Sequence, residues 1–171
     1  MQTHPVVTNA GPLIYLAVVS QFELLKQLFG VVYLPQAVYQ EIVVHGRGRP
    51  GASETNTAVA EGWLKRIVVE DRIAVDSLLD ELHIGEAEAI VLAQELEVGK
   101  VLLDDRQART KAQLMGLAVT GTVGILLLAK HTGIIGDIRQ ELNRLRASNF
   151  RFSQDLYDRL TSSSDSTNYP G

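Results

Sequence analysis

The chain of 171 residues has a length that suits one domain, because single hydrophobic cores typically serve about 100–200 residues. Twenty acidic against sixteen basic side chains give a net charge of −4, which excludes a broadly basic nucleic-acid binder but not a local basic patch. The absence of cysteine excludes disulfide scaffolds, thiolate zinc sites and thiol nucleophiles. No signal peptide or membrane-spanning run is visible, so we expect a soluble, cytoplasmic protein.

Short apolar runs alternate with longer amphipathic runs along the chain. The short runs predict strands at 6–8, 31–34, 63–69, 100–103 and 117–120. Apolar spacings of three and four residues predict helices at 13–17, 22–29, 35–44, 71–82, 85–96, 106–115, 122–131, 136–147 and 153–160. The Gly- and Arg-rich residues 45–57 predict a mobile loop, and the Ser-rich residues 161–171 a disordered tail. The alternation predicts an α/β fold over residues 1–160, in which helices cover both faces of a short parallel sheet.

Polar residues follow three of the predicted strands. Asn9 follows the first strand, Asp104 and Asp105 follow the fourth, and Thr120 and Thr122 lie at the end of the fifth. Ligands of open α/β sheets gather outside the carboxyl ends of the strands, so we expect these side chains to lie together. A helix N-cap would account for either aspartate alone, but a cap does not require two adjacent carboxylates.

Two predicted helices add glutamates to this set. Helical phase at about 100° per residue places Glu86 on the apolar, small-residue face of its helix and predicts that Glu88 points to solvent. Glu41 borders the buried stripe of its own helix. Singly, Glu86 could be a first-turn acid that favours the helix dipole, and Glu41 an exposed glutamate. Together with Asp104 or Asp105 they would repel one another unless a hard cation such as Mg²⁺ or Mn²⁺ neutralised them.

Several short motifs accompany these acids in a fixed order. They are TNAGPL at 8–13, LFG at 28–30, LP at 34–35, VYQEI at 38–42, GEAEAI at 85–90, LLDD at 102–105 with Arg109, and TGT at 120–122. This series, which covers roughly residues 6–160, resembles the PIN domains of VapC-type toxin ribonucleases. The resemblance implies a three-layer PIN-like nuclease domain over residues 1–160, whose acidic cluster binds Mg²⁺ or Mn²⁺ and cleaves single-stranded RNA.

The resemblance also implies which residues form the catalytic, metal-binding site. It assigns the first acidic position to Asn9, the second to Glu41 and the third to Glu86. The fourth position falls on Asp104 or Asp105, between which the sequence does not decide. Asn9 stands where the family usually has an aspartate, so it supplies an amide oxygen without a negative charge.

An acidic protein needs local cations and hydroxyls to hold RNA. The candidates for contacts with phosphate are Arg47, Arg49, Arg106, Arg109 and Lys111, with Thr8, Thr120 and Thr122 as hydroxyl donors. The alternatives are a solvated charged face for the cations, and ordinary strand or capping roles for the threonines. Tyr39 could stack on a base or belong to the core.

Three functions can be compared with these sequence features. The first is a metal-dependent endoribonuclease of the toxin kind, homodimeric and held inactive by a small antitoxin protein. The second is a PIN-like protein in which Asn9 has weakened the site, and which binds RNA or a partner without cleaving. The third, a phosphohydrolase with an aspartyl nucleophile, would need Asp-x-Asp after the first strand, where the chain has Thr8-Asn9-Ala10. The four histidines (His4, His45, His83 and His131) are scattered and predict no histidine-based site.

Overall fold

The computed structural model describes residues 2–162 and contains one five-stranded parallel sheet in the order β3-β2-β1-β4-β5. The strands are β1 Val6–Thr8, β2 Val32–Pro35, β3 Leu64–Ile67, β4 Lys100–Leu102 and β5 Ala118–Thr120. Because β1 lies between β2 and β4, the strand order reverses at the β1–β4 boundary. A crevice at the carboxyl ends of such a pair is the usual ligand site of an open α/β sheet.

Helices cover both faces of this sheet. They are α1 Ala10–Val18, α2 Leu24–Phe29, α3 Gln36–Tyr39, α4 Ala52–Glu61, α5 Arg72–Leu78, α6 Ile84–Glu95, α7 Arg106–Leu114, α8 Thr122–His131, α9 Arg139–Ala147 and α10 Gln154–Thr161; a π-helical turn, Gln40–Val44, continues α3. Side chains alternate between the faces of a strand, so Val6 and Val7 belong to different core clusters. The cluster of Val6 includes residues of α1, α2, α8 and α9, and the cluster of Val7 includes residues of α5, α6 and α7. The predicted three-layer α/β fold is confirmed.

The segment 45–57 is only partly the loop that the composition predicts. Turns occupy residues 45–51, but α4 begins at Ala52 and takes in the rest of the segment. Gly51 adopts φ 94° before the helix, and its N–H donates to the carboxylate of Glu54 at 3.1 Å, which caps the first turn. The buried stripe of Ala52, Thr55 and Ala58 then packs inward. Polar and small residues obscured this stripe in the sequence.

Other boundaries differ from the predicted ones by a few residues. The first helix begins at Ala10 because Asn9 already occupies its N-cap position. Pro35 ends β2 and does not belong to α3, and α9 begins at Arg139, later than predicted. The predicted tail begins inside α10, which ends at Thr161, and residues 163–171 lie outside the described part of the chain. Within residues 2–162, no helix is both long and apolar enough to cross a bilayer.

Candidate active site

The carboxyl ends of β1, β4 and β5 bring the predicted polar residues to one edge of the sheet. The N–H of Asn9 donates to the carbonyl of Leu102 at 3.0 Å, and the N–H of Leu103 donates to Thr120 at 3.0 Å. These bonds extend the ladders one residue past the strands, so Asn9 and Asp104 emerge beside each other. Asn9 is 8% exposed, although its side chain makes no capping hydrogen bond to α1.

Gly85 is the point at which two of the predicted ligands converge. A Cβ atom built on Gly85 would lie 3.3 Å from Asn9 Oδ1 and 3.4 Å from Glu41 Oε2. The two oxygens therefore flank a small space that exists because residue 85 has no side chain. The π-helical turn carries Glu41 to this position, and the side chain of Glu41 stays exposed. Wide π turns are frequent at functional sites.

Glu86 lies next to this space and is 9% exposed. Its Oε2 accepts the N–H of His83 at 3.1 Å. Burial raises the pKa of Glu86, the His83 N–H opposes that rise, and the negative charges of Asp105 and Glu41 raise the pKa further. Glu41, Glu86 and Asp105 thus come from separate elements but lie close enough for their charges to act on Glu86. The predicted inward placement of Glu86 agrees with the structure.

Asp104 and Asp105 make different contacts, which the sequence could not reveal. Asp104 accepts the N–H of Thr122 at 2.6 Å through Oδ1 and the hydroxyl of Thr122 at 2.7 Å through Oδ2. Burial raises the pKa of the Asp104 carboxyl, although both hydrogen bonds and the charge of Arg109 favour its ionised form. A Cβ on Gly121 would lie 2.9 Å from its Oδ1, and one on Gly11 2.8 Å from its Oδ2. The carboxylate of Asp104 is therefore wedged between the first turns of α1 and α8.

Asp105 is the exposed N-cap of α7, and its Oδ1 accepts the N–H of Ala108 at 2.9 Å. It is also the aspartate whose charge acts on Glu86. The two aspartates thus have different partners. Asp104 accepts two hydrogen bonds from Thr122, whereas Asp105 caps α7 and lies close enough to Glu86 for the two charges to interact.

Glu88 contradicts the prediction that it points to solvent. The side chain is buried at 4% exposure, accepts the N–H of Ala37 at 3.1 Å and pairs with Arg72 at 3.0 Å. Helical phase failed because α6 has no solvent face in its first part, where every residue from Gly85 to Ala93 is buried. A helix that is apolar all round signals such burial, and the Ala-rich stretch around Glu88 carried that signal. Through its hydrogen bond with Ala37, Glu88 links the start of α3 to α6.

The predicted RNA contacts fall into two groups. Arg47, Arg49 and Arg106 are exposed and face solvent beside the site elements, whereas Lys111 pairs with Glu81 at 3.0 Å. Arg109 donates a hydrogen bond to the carbonyl of Leu103 at 3.2 Å, so it stabilises the sheet edge.

The predicted hydroxyl donors and Tyr39 have partners or are buried. The hydroxyl of Thr8 donates to the carbonyl of Asn9 at 3.0 Å, and Thr120 and Thr122 are buried. Tyr39 is half-buried, and the guanidinium of Arg66 lies 4.3 Å from its ring centroid.

Two histidines that the sequence left unassigned flank the site. His45 directly follows the π-helical turn that carries Glu41, and His83 directly precedes α6. Both line a surface groove that also includes Glu41 and Gly85. Their distance in sequence hid this proximity, but each stands within four residues of a predicted acid, which is the signal that could have found them.

The donor set fits a hard divalent cation in chemistry and in charge. Asn9 and Glu41 offer oxygens around the space at Gly85, and the mutual repulsion of Glu41, Glu86 and Asp105 is what a cation would relieve. Nevertheless, no three His, Asp or Glu side chains among residues 2–162 are gathered as a ready metal cluster.

Comparison with known protein families agrees with the fold just described. A family model described as a PIN domain matches residues 5–166, nearly the whole chain. No curated protein matches the chain. PIN domains are nuclease domains, which bind RNA and generally use divalent metals. The chain belongs to the PIN-domain family.

Proposed function

We propose that the chain is a Mg²⁺- or Mn²⁺-dependent ribonuclease that hydrolyses phosphodiester bonds of single-stranded RNA. The observation that carries this proposal is the space at Gly85, where Asn9 Oδ1 and Glu41 Oε2 converge beside the buried Glu86. Side chains from β1, the π-helical turn and α6 meet there at the edge of the sheet. A site for a substrate phosphate at this edge agrees with the usual position of ligands in open α/β sheets.

We assign the cation to Asn9, Glu41, Glu86 and Asp105. An ion bound there would polarise a phosphoryl oxygen and lower the pKa of an attacking water. Asp104 is assigned a supporting role, because Thr122 already satisfies both of its oxygens. This choice between the aspartates is supported by the charge of Asp105 acting on Glu86.

The chain's own cations would supply substrate binding. The exposed side chains of Arg47, Arg49 and Arg106 would neutralise phosphates on either side of the cleaved bond. Single-stranded RNA fits this open edge better than a rigid duplex, because its backbone can bend to the buried carboxylates.

Cleavage of a mixed-sequence RNA pool tests the proposal. Wild-type protein is incubated with Mg²⁺, Mn²⁺ or EDTA, beside Glu41→Gln and the remote surface variant Glu23→Gln. We expect cleavage with either metal and none with EDTA, loss in Glu41→Gln and full activity in Glu23→Gln. Equal cleavage by wild type and Glu41→Gln would trace the activity to a contaminant and refute the assignment.

A second function is favoured by a specific observation. Asn9 brings no charge, and residues 2–162 hold no ready cluster of three acids, which suits a protein that binds RNA or a partner without cleaving it. The same RNA pool separates the two functions. RNA retained in a binding assay, but intact with both metals, would support the binding protein.

The finer proposal is a toxin of a toxin–antitoxin pair, which rests on the resemblance to VapC-type proteins. A small antitoxin protein would then cover the carboxylate edge, and the toxin would act as a homodimer in the cytoplasm. Induced expression should stop growth of a bacterial host, and Glu41→Gln should relieve the arrest. Normal growth at a verified level of active wild-type nuclease would contradict the toxin role.

A further inference from the structure

A surface groove runs from the carboxylate edge along the start of α6. It has a volume of about 540 Å³. It is lined by Gln40, Glu41 and His45 from the π-helical turn and the residue after it, and by His83, Ile84 and Gly85 at the start of α6. Volumes of this size are typical of sites for small molecules. Because Glu41 and Gly85 belong also to the candidate active site, the groove and that site are continuous.

The walls of the groove combine flat rings, an apolar side chain and an amide. His45 and His83 are exposed, and Ile84 is 43% exposed. Gln40, which is half-buried, adds a side chain that both donates and accepts hydrogen bonds. Flat apolar faces with polar edges are the chemistry of a nucleobase.

Charge around the groove also suits a nucleotide. Arg47 and Arg49 are exposed in the turn that directly follows His45, where they can meet the phosphates on either side of a bound base. A peptide with acidic side chains would find the same cations, but its carboxylates would bring no flat ring to the imidazoles of His45 and His83. The observations therefore favour a base of single-stranded RNA.

We propose that this groove, the base groove, holds one nucleobase of single-stranded RNA next to the phosphate at Gly85. The rings of His45 and His83 contact the faces of the base, and Gln40 reads its hydrogen-bonding edge. The inference deepens the proposed ribonuclease function, on which it rests, by stating where substrate specificity arises. Apart from Glu41, no side chain that lines the groove has a part in the proposed hydrolysis.

Binding of a fluorescein-labelled mixed-sequence RNA oligonucleotide in EDTA tests the proposal without cleavage. We expect His45→Ala and His83→Ala each to weaken binding about fivefold or more, since stacking on an aromatic ring is typically worth at least that factor per base. His83→Phe, which keeps a ring, should restore most of the affinity. Ile73→Ala removes a side chain that is 84% exposed on α5 and serves as the matched control.

The cleavage pattern supplies a second readout that a purely structural effect would not move. With Mn²⁺, Gln40→Ala should cut the RNA pool at a broader set of bases than wild type does. Wild-type affinity in both alanine variants, or an unchanged pattern in Gln40→Ala, would overturn the base groove even if the protein is a nuclease. Conversely, affinity lost in the histidine variants of a protein that never cleaves would keep the groove and refute the nuclease.

Discussion

Gly85→Ala separates the chemistry of the site from the stability of the fold. The new Cβ would lie 3.3 Å from Asn9 Oδ1 and 3.4 Å from Glu41 Oε2, which is closer than most Cβ contacts. Gly85 lies in the first turn of α6, where replacing glycine by alanine favours the helix by up to about 0.5–1 kcal/mol. The exposed Glu41 can move aside, so the gain and the crowding nearly cancel. We expect the melting temperature of the metal-free variant to change by less than about 4 °C.

The same substitution should abolish the response to metal. At about 100 times its dissociation constant, an ion that binds only the folded state adds roughly 2.7 kcal/mol, so Mn²⁺ should raise the wild-type melting temperature by several degrees. In Gly85→Ala the methyl group occupies the space beside both oxygens, and this rise should vanish together with RNA cleavage. Gly136→Ala, where a Cβ meets nothing within 4 Å, should behave as wild type. A wild-type response to Mn²⁺ in Gly85→Ala would refute the site.

Four further predictions concern the acids and Asn9. Glu88→Ala should destabilise the fold by about 2–3 kcal/mol in chemical denaturation, because it removes a buried hydrogen-bond acceptor. Glu88→Gln keeps an acceptor and should destabilise the fold less than half as much. Equal effects of the two substitutions would mean that the hydrogen bond to α3 contributes nothing. Asp104→Asn should lower the free energy of unfolding by about 2 kcal/mol, since an amide cannot accept both hydrogen bonds from Thr122. An unchanged free energy of unfolding would indicate that Asp104 serves as a metal ligand instead. Metal-free Glu86→Gln should be more stable than wild type at neutral pH, because a raised pKa in the folded protein means that the ionised carboxylate of Glu86 destabilises the fold. This difference in stability should shrink as the pH falls through the raised pKa towards the unfolded value near 4.5. A difference that does not change with pH would contradict this. Asn9→Asp should tighten Mn²⁺ binding at least tenfold in calorimetry by adding one charge, and Asn9→Ala should weaken it, whereas equal affinities would make Asn9 only a turn residue.

The sequence was sufficient to predict the layers of the fold and the sheet edge at which Asn9, Asp104 and Asp105 lie. Alternating apolar runs placed all five strands, and the rule that ligands gather at carboxyl ends of strands brought Asn9 and the two aspartates together. Glu86 is buried as the helical phase predicted, but so is every other residue from Gly85 to Ala93, so its burial does not vindicate the phase argument.

Sequence reasoning failed where a distant element decides the environment. Glu88 appeared to face solvent, but α3 and α5 cover that side of α6, and the bond to Ala37 joins residues 51 apart in the chain. Asp104 differs from Asp105 only because α8 begins beside it. The base groove likewise depends on the approach of the π-helical turn to α6, and no local pattern records such a contact.

Titration calorimetry with Mn²⁺ on metal-free protein shows whether the cation binds at the carboxylate edge. We expect Mn²⁺ to bind to wild type and equally to Glu23→Gln, whose exposed carboxylate lies at the start of α2, and we expect that binding to be lost in Glu86→Gln and in Asp105→Asn. Identical isotherms for wild type, Glu86→Gln and Asp105→Asn would refute the assignment, because the cation would then bind away from the carboxylate edge.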